Sequence, residues 1–316
     1  MNNIIDSFTN PQFAGELFTA DSVSTPLLSI IGGLSGGLVT ANEEFPTAVT
    51  YDFPAAKQPA ISEETAVNAP NSGIITKAQA TNIVQIFQET VELTYAKKAA
   101  ARLISPLTDA EGTAKDSGDE LDWHIAQKLK TIARDVEHTF INGKFAKRTS
   151  AAEANKTRGL IELCTINTVN ANNAALSLAM LKNLYKMMAD NGAYLDDMVI
   201  FVNSALKQAI TELYSSQLAS AVGTDRNLAG VNALNIETDF FKCAVVYDKF
   251  MPQDTVLIAD VEHIAPVFQT IPNKGNLFLE ELAHSGASER HQLYGHIGLA
   301  HGPAFLHGIV KGVKIS

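Results

Sequence analysis

The chain has 316 residues, 46% of them hydrophobic, with 24 basic and 34 acidic side chains and a formal net charge of −10. That length exceeds one simple core and points to two domains. The charge balance, with no basic cluster longer than KFAKR (144–148), excludes a protein that grips nucleic acid through its phosphates, although enclosing DNA requires no affinity. The longest apolar run, Pro26 to Val39, is broken by four glycines and falls short of the roughly 20 residues a membrane span needs. The opening MNNIIDSFTN lacks the basic region and apolar core of a secretory signal. Cys164 and Cys243 are far apart and are expected as free buried thiols.

Residues 1–41 are weakly periodic and rich in small side chains, and read as an arm. Phe45, Thr47, Val49, Tyr51 and Phe53 then alternate with Pro46, Ala48, Thr50 and Asp52, the period-2 pattern of a strand with one apolar face. Asn82 to Tyr95 reads as a second, half-exposed strand. Between them, residues 54–81 hold only Ile61, Val67, Ile74 and Ile75 as large apolar residues. Structureless loops longer than about 12–15 residues are uncommon in compact domains. A two-stranded hairpin is marginal alone in water. The long hairpin is therefore expected to find its stability on another molecule.

Ser117-Gly118-Asp119-Glu120 fits a capping box. Leu121, Ile125, Leu129, Ile132, Val136 and Phe140 follow as a helical apolar stripe, with Arg134 and Glu137 spaced to pair on the polar side. Asn142-Gly143 predicts a left-handed stop. Between its ends at 117 and 142 this helix runs about 24 residues, roughly 36 Å, about twice the mean globular helix. After a polar linker (149–159), Leu176 to Met188 predicts a helix ended by Asn191-Gly192, and MVIFV (198–202) a buried strand. Asn203 or Ser204 caps a helix to about Gln217. Short strands follow at 234–238, 243–247 and 255–259, then 277–282, 290–301 and 304–315. The whole is α+β.

Two motifs invite a chemical reading. Gly33-Leu34-Ser35-Gly36-Gly37 spells G-x-S-x-G, which in a serine hydrolase sits between a strand and a helix. TPLLSII (25–31) supplies a candidate strand, but the following GGLVTANEEFP offers no helix, so Ser35 reads as part of a glycine hinge. The same stretch fails as a phosphate loop, since Leu38-Val39 stands where Lys-Ser/Thr is needed. His284, His291, His296, His301 and His307 crowd the C-terminal third without metal-ligand spacing, and His291 and His301 would lie about 33 Å apart in one strand. The carboxylate pairs Asp196-Asp197 and Glu280-Glu281 point to different faces. No catalytic, cofactor or metal site is expected.

The runs NIVQIFQETVELTYAKKAA (82–100), DELDWHIAQKLKTIARDVEHTFINGKF (119–145) and TRGLIELC (157–164) resemble the major capsid proteins of tailed bacteriophages with the Hong Kong 97-type fold. The nearest branch was first catalogued as a domain of unknown function. FAGELFTADSVSTPLLSIIGGLSGG (13–37) is similar to that branch's N-terminal arm, and LAHGPAFLHGIVKG (299–312) to the family's closing strand, proline turn and last strand. The resemblance implies an N-terminal arm (1–41), an extended loop over an adjacent subunit (42–95) and a peripheral domain (96–163) with its spine helix. It further implies an axial domain (164–262), a return to the peripheral domain (263–303) and a last axial strand (304–316). The implied function is self-assembly, through pentamers and hexamers, into an icosahedral virion shell that encloses double-stranded DNA without sequence-specific binding. Assembly would occur in the host cytoplasm, away from membranes, with a separate scaffolding protein, a portal and a decoration protein as partners. The contact candidates are Phe53, Lys57, Ile61, Glu63, Glu64, Val67, Ile74 and Lys77. Some members cross-link loop lysines to asparagines on a neighbour; Lys57 and Lys77 lie in this loop, though no catalytic carboxylate can be assigned. The alternatives are an encapsulin-like compartment and a serine hydrolase using Ser35.

Overall fold

The computed structural model describes residues 24–53, 55–67, 75–96, 120–217, 227–228, 231–283 and 286–315. Among them two sheets form the body and a third forms a projection. The first sheet has five strands: β1 (Leu38–Thr40), β4 (Gln85–Thr94), β11 (Ala265–Gln269), β12 (Leu277–Glu281) and β13 (Ser288–Ala300). β13 is its axis, with β4 along one edge and β11 and β12 along the other. The second sheet runs β5 (Asn167–Asn170), β14 (Gly308–Lys311), β10 (Val256–Asp260), β6 (Met198–Val202), β9 (Lys242–Tyr247), β8 (Val231–Glu237) and β7 (Asn227–Leu228). The projection is the antiparallel ribbon of β2 (Glu44–Asp52) and β3 (Thr76–Ile83).

Alternation explains the seven-stranded sheet. All five residues of β6 are buried. Val199 and Phe201 face a core shared with the five-stranded sheet, while Met198, Ile200 and Val202 face a second core beneath the helices α5 (Leu178–Asp190) and α6 (Ser204–Gln217). A strand covered on both faces has no polar face to show, hence the unbroken MVIFV. Ser177 caps α5 by accepting from the Met180 amide, and Gly192 ends it at φ +83°. Asn203 caps α6, its Oδ1 accepting from the Leu206 amide at 2.9 Å. Cys164 and Cys243 lie in different cores as free thiols, and burial pushes each up to about 12.

The spine helix α3 (Glu120–Asn142) lays Ile132, Val136 and Phe140 against the sheets, each at most 1% exposed. The proposed cap at Ser117 lies outside the described residues. Three expectations along this helix need correction. Leu129 is 37% exposed, so the buried stripe is confined to the C-terminal half. Glu137 turns inward and is fully buried, because its carboxylate accepts from the Leu27 and Leu28 amides. Gly143 does not have a left-handed φ. It is glycine because a Cβ would stand 2.4 Å from the Thr139 carbonyl oxygen and 2.6 Å from that of Thr157. Gly159 meets the same crossing, its amide donating to the Gly143 carbonyl at 3.0 Å.

Other differences have equally local causes. TPLLSII is not a strand: Pro26–Ile30 is a short helix, α1, docked on α3 with Leu27 and Leu28 buried. Residues 82–95 are not one strand: the chain leaves β3 at Ile83, passes Val84, and enters β4 in a different sheet. The ribbon partner of β2 is therefore 76–83, six residues of which lie in the span read as loop. The last strand begins at Gly308, after a 3₁₀ turn at Ala304–Leu306.

The contrast between Val136 and Leu129 is testable. Val136→Asp buries an unpaired carboxylate and costs several kcal/mol, comparable with a domain's whole stability. It is expected to give insoluble or unfolded protein, whereas Leu129→Asp keeps a urea midpoint close to that of the wild type.

Candidate assembly surface

The ribbon is anchored at its root by apolar packing and a clamp of polar side chains. Phe45, the first inward residue of β2, is 5% exposed and packs with Val84, Val267 and Ala300. Gly298 makes room for it: a Cβ there would meet the Phe45 ring at 2.8 Å. Asn82 is fully buried where ribbon, sheet and linker meet. Its Nδ2 donates to the carbonyls of Leu299 (2.8 Å) and Arg158 (3.2 Å), and its Oδ1 accepts from the Arg158 amide at 2.8 Å. Outside this lie ion pairs. Lys147 bonds Glu44 at 2.5 Å and Arg148 bonds Glu43, which also accepts from Asn155. The Lys147 hydrogen bond, then that of Thr81, holds the Glu44 carboxyl below its ordinary value. These acids and bases are about 100 residues apart in sequence, and only the fold shows them as partners.

Beyond the root the ribbon is bare. Val49 is 60% exposed, Tyr51 56% and Phe53 70%, and the Tyr51 and Phe53 rings stack edge-to-face with no cover. The alternation in β2 is therefore real, but past Phe45 its apolar face looks into solvent. Among the contact candidates, Phe53, Lys57, Ile61 and Val67 are exposed on the projection, Glu63 and Glu64 open the one-turn helix α2 (Glu63–Ala66), and Lys77 sits in β3 opposite Tyr51. Ile74 lies outside the described residues. The exposed ladder residues Val49 and Tyr51 belong with these candidates and carry the same signal.

Ser35 occupies the reverse of a nucleophile elbow. A helix, α1, precedes the turn and a strand, β1, follows it. Ser35 is exposed, and the glycines account for the geometry: Gly32, Gly33 and Gly37 have φ of +107°, +70° and +130°. A Cβ on Gly37 would sit 2.3 Å from the Pro266 carbonyl oxygen, where β1 pairs in parallel with β11.

A family model described as SU10 major capsid protein matches residues 1–314. The chain belongs to that family. It is a major capsid protein of bacteriophage type with the Hong Kong 97-like fold. Solved structures agree on the fold. The cyanophage A-1(L) capsid protein superposes with a TM-score of 0.64 at 10% identity, over 94% of this chain and 95% of that one. The capsid of a native GTA particle gives 0.57 at 14% identity, over 99% and 96%. The SrpI encapsulin of Synechococcus elongatus PCC 7942 gives 0.59 at 11% identity, over 95% and 94%. No curated protein sequence matches.

In this capsid protein His296, His301 and His307 are tied into hydrogen bonds, while His291 sits in β13 opposite Val91 and Glu281. His296 bonds Tyr294 and Gln269 across the outer face of the five-stranded sheet. His301 and His307 are fully buried at the exit from β13. The Asp260 amide donates to His307 Nδ1 at 3.2 Å, so Nε2 carries the hydrogen that it donates to the His301 carbonyl at 2.6 Å. His284 lies outside the described residues. Asp260, Glu262 and His263 bring ligand atoms within 4.8 Å of one another, a grouping the sequence reading did not single out. Asp260 Oδ1 accepts from the Glu262 amide and Oδ2 bonds His263 Nδ1, which closes the turn after β10.

Two predictions follow from these anchors. Asn82→Ala leaves four backbone groups, the Leu299 and Arg158 carbonyls and the Arg158 and Ile83 amides, without that partner and is expected to lower stability by about 2–4 kcal/mol in urea titration, with faster hydrogen exchange along β2. Burial pushes His307 down to about 4, below its ordinary 6.5. The folded chain therefore binds fewer protons there than the unfolded one. The stabilisation is complete above pH 6.5 and is lost as pH falls towards 4. Urea midpoints are expected to drop across that window, and less steeply in His307→Gln.

Proposed function

We propose that the chain forms pentamers and hexamers that close into an icosahedral shell around double-stranded DNA, with the β2–β3 ribbon lying over an adjacent subunit. One observation carries this reading: the ribbon is rooted by a buried asparagine, a packed phenylalanine and paired charges, yet exposes Val49, Tyr51 and Phe53 at its far end. Such a rooted apolar projection gains its burial on a second copy. A head-to-tail contact between unlike surfaces closes into rings, as a shell requires. In this arrangement Phe53, Lys57, Ile61, Glu63, Glu64, Val67, Ile74 and Lys77 meet the neighbour.

The sheet topology supports a division into functional parts. The seven-stranded sheet, drawn from 164–262 with the last strand of 304–316, is read as the axial domain. The spine helix of 96–163 with the strands of 263–303 is read as the peripheral domain. Net charge of −10 favours enclosure of DNA over sequence-specific binding. The chain acts as a structural protein without catalysis. A scaffolding protein, a portal and a decoration protein are the further partners of this reading, with assembly in the host cytoplasm.

The encapsulin likeness gives a second reading with the same shell, and particle contents separate the two: nuclease-resistant DNA for a capsid, a cargo enzyme for a compartment. The ribbon itself is tested by replacing residues 54–74 with Asn-Gly, which keeps the β2–β3 ladder and suits a tight hairpin. The expected result is an unchanged circular dichroism spectrum with loss of closed particles in sedimentation and electron microscopy. Closed, stable particles from the shortened chain would remove the loop beyond Phe53, with Lys57, Ile61, Glu63, Glu64, Val67 and Ile74, from the assembly contact.

A further inference from the structure

A buried pair of carboxyl groups sits where three parts of the chain meet. Glu137 of α3 is fully buried. Its Oε1 accepts from the Leu27 amide and its Oε2 from the Leu28 amide, each at 2.7 Å, so the carboxylate caps α1. Asp248, also fully buried, follows β9. Its amide donates to the Val202 carbonyl at the end of β6, and its Oδ1 accepts from the Phe250 amide at 2.8 Å. Its Oδ2 is enclosed and has no hydrogen-bond donor among the described residues. The group that approaches Asp248 is Glu137 itself, and two carboxyls can hydrogen-bond only when a proton lies between them. The same junction is pinned by Asn142, whose Nδ2 donates to the Phe250 carbonyl at 2.9 Å, and by the edge-to-face contact of His138 with the Phe250 ring.

We propose that Glu137 and Asp248 hold one proton between them at neutral pH and form a latch that keeps α1, and with it the segment leading to β1, on the spine helix until that proton is lost. Within one helical turn of Glu137 the charged and titratable groups are Arg134, Asp135 and His138, and those beside Asp248 are Tyr247 and Lys249. Thr25 to Ile31 of α1 and Met198 to Val202 of β6 contribute none. None of those groups is among the causes that set the two carboxyls. Burial is the main cause, followed for Glu137 by the Asp248 charge, and together they push Glu137 from 4.5 up to about 9; burial also raises Asp248. The titration belongs to the pair.

The sign follows directly. The closed latch holds a proton that the carboxyl pair, once opened to water, gives up in the ordinary carboxylate range. Its advantage is complete below pH 4.5 and is lost as pH rises towards 9. Once both groups are ionised, two buried like charges face each other and the acceptor of the α1 amides is driven off. Raising pH, not lowering it, therefore opens this contact.

Hydrogen exchange of the full-length protein, followed on the peptide 24–31 and corrected for intrinsic rates, reads the latch. Between pH 7 and 9 the wild type is expected to lose about tenfold in protection per pH unit. Asp248→Asn removes the like charge and supplies an amide donor to a Glu137 carboxylate that still caps both amides, and is expected to stay protected with a shallower slope over that range. Glu137→Gln, which keeps one acceptor, is expected to be less protected at pH 7 and flat. Protection in the wild type that does not change from pH 7 to 9 overturns the proposal, and this arm needs no variant to fold. A slope in either amide variant as steep as that of the wild type overturns it as well.

Discussion

The antiparallel ladder between β4 and β13 is the constraint on which the rest of the subunit rests. Ten residue pairs, from Ser288↔Thr94 to Ile297↔Gln85, set the direction of the chain just after the ribbon. One face of this ladder presents Phe87, Val91, Leu293 and Ile297 to the core that receives the spine helix, while Gln88 and Gln292 bond across the other. The lower end of β13 then passes Gly298 and Leu299, where the Phe45 ring and the Asn82 amide are received. A register slip of one residue would turn the apolar set outward and remove both seats of the ribbon.

The ribbon acts as a lever because its two ends are treated differently. At the root, burial and hydrogen bonds to main-chain groups hold it at a defined angle. Along the arm, Val49, Tyr51 and Phe53 remain in water. A two-stranded ribbon is too thin to cover its own apolar side, so exposure here is a property of the shape and not a packing fault. In the proposed shell, a neighbouring subunit supplies the missing layer.

Two kinds of buried ionisable group bound the conditions under which the subunit is most stable. His307 must stay neutral for its Nδ1 to accept from the Asp260 amide and tie the exit of β13 to β10. Glu137 and Asp248 must keep a proton for their carboxyls to share the junction of spine helix, α1 and β9. Acid weakens the first and alkali the second, so the two junctions respond to pH in opposite directions, the first complete above pH 6.5 and the second below pH 4.5. Each group sits between elements distant in sequence, where a change of charge is felt as a change of contact.

Much of the architecture was legible in the sequence because local chemistry dictates it. The stripe from Ile132 to Phe140, the Asn203 cap, the glycine ending α5 and the doubly apolar MVIFV each carry a reason that acts within a few residues. The runs at 82–100, 119–145 and 157–164 added the capsid resemblance. Tertiary structure decided what depends on partners far along the chain. Val84 divides one apparent strand between two sheets, because Asn82 finds Leu299 and Arg158. TPLLSII became a helix because Glu137, about 110 residues later, accepts its first amides. Glu137 itself looked like a surface residue, since helical spacing to Arg134 is visible in sequence and burial beside Asp248 is not. Periodicity identifies which residues share a face. Whether that face meets a core, water or another copy of the chain is set by long-range contacts that no local pattern contains.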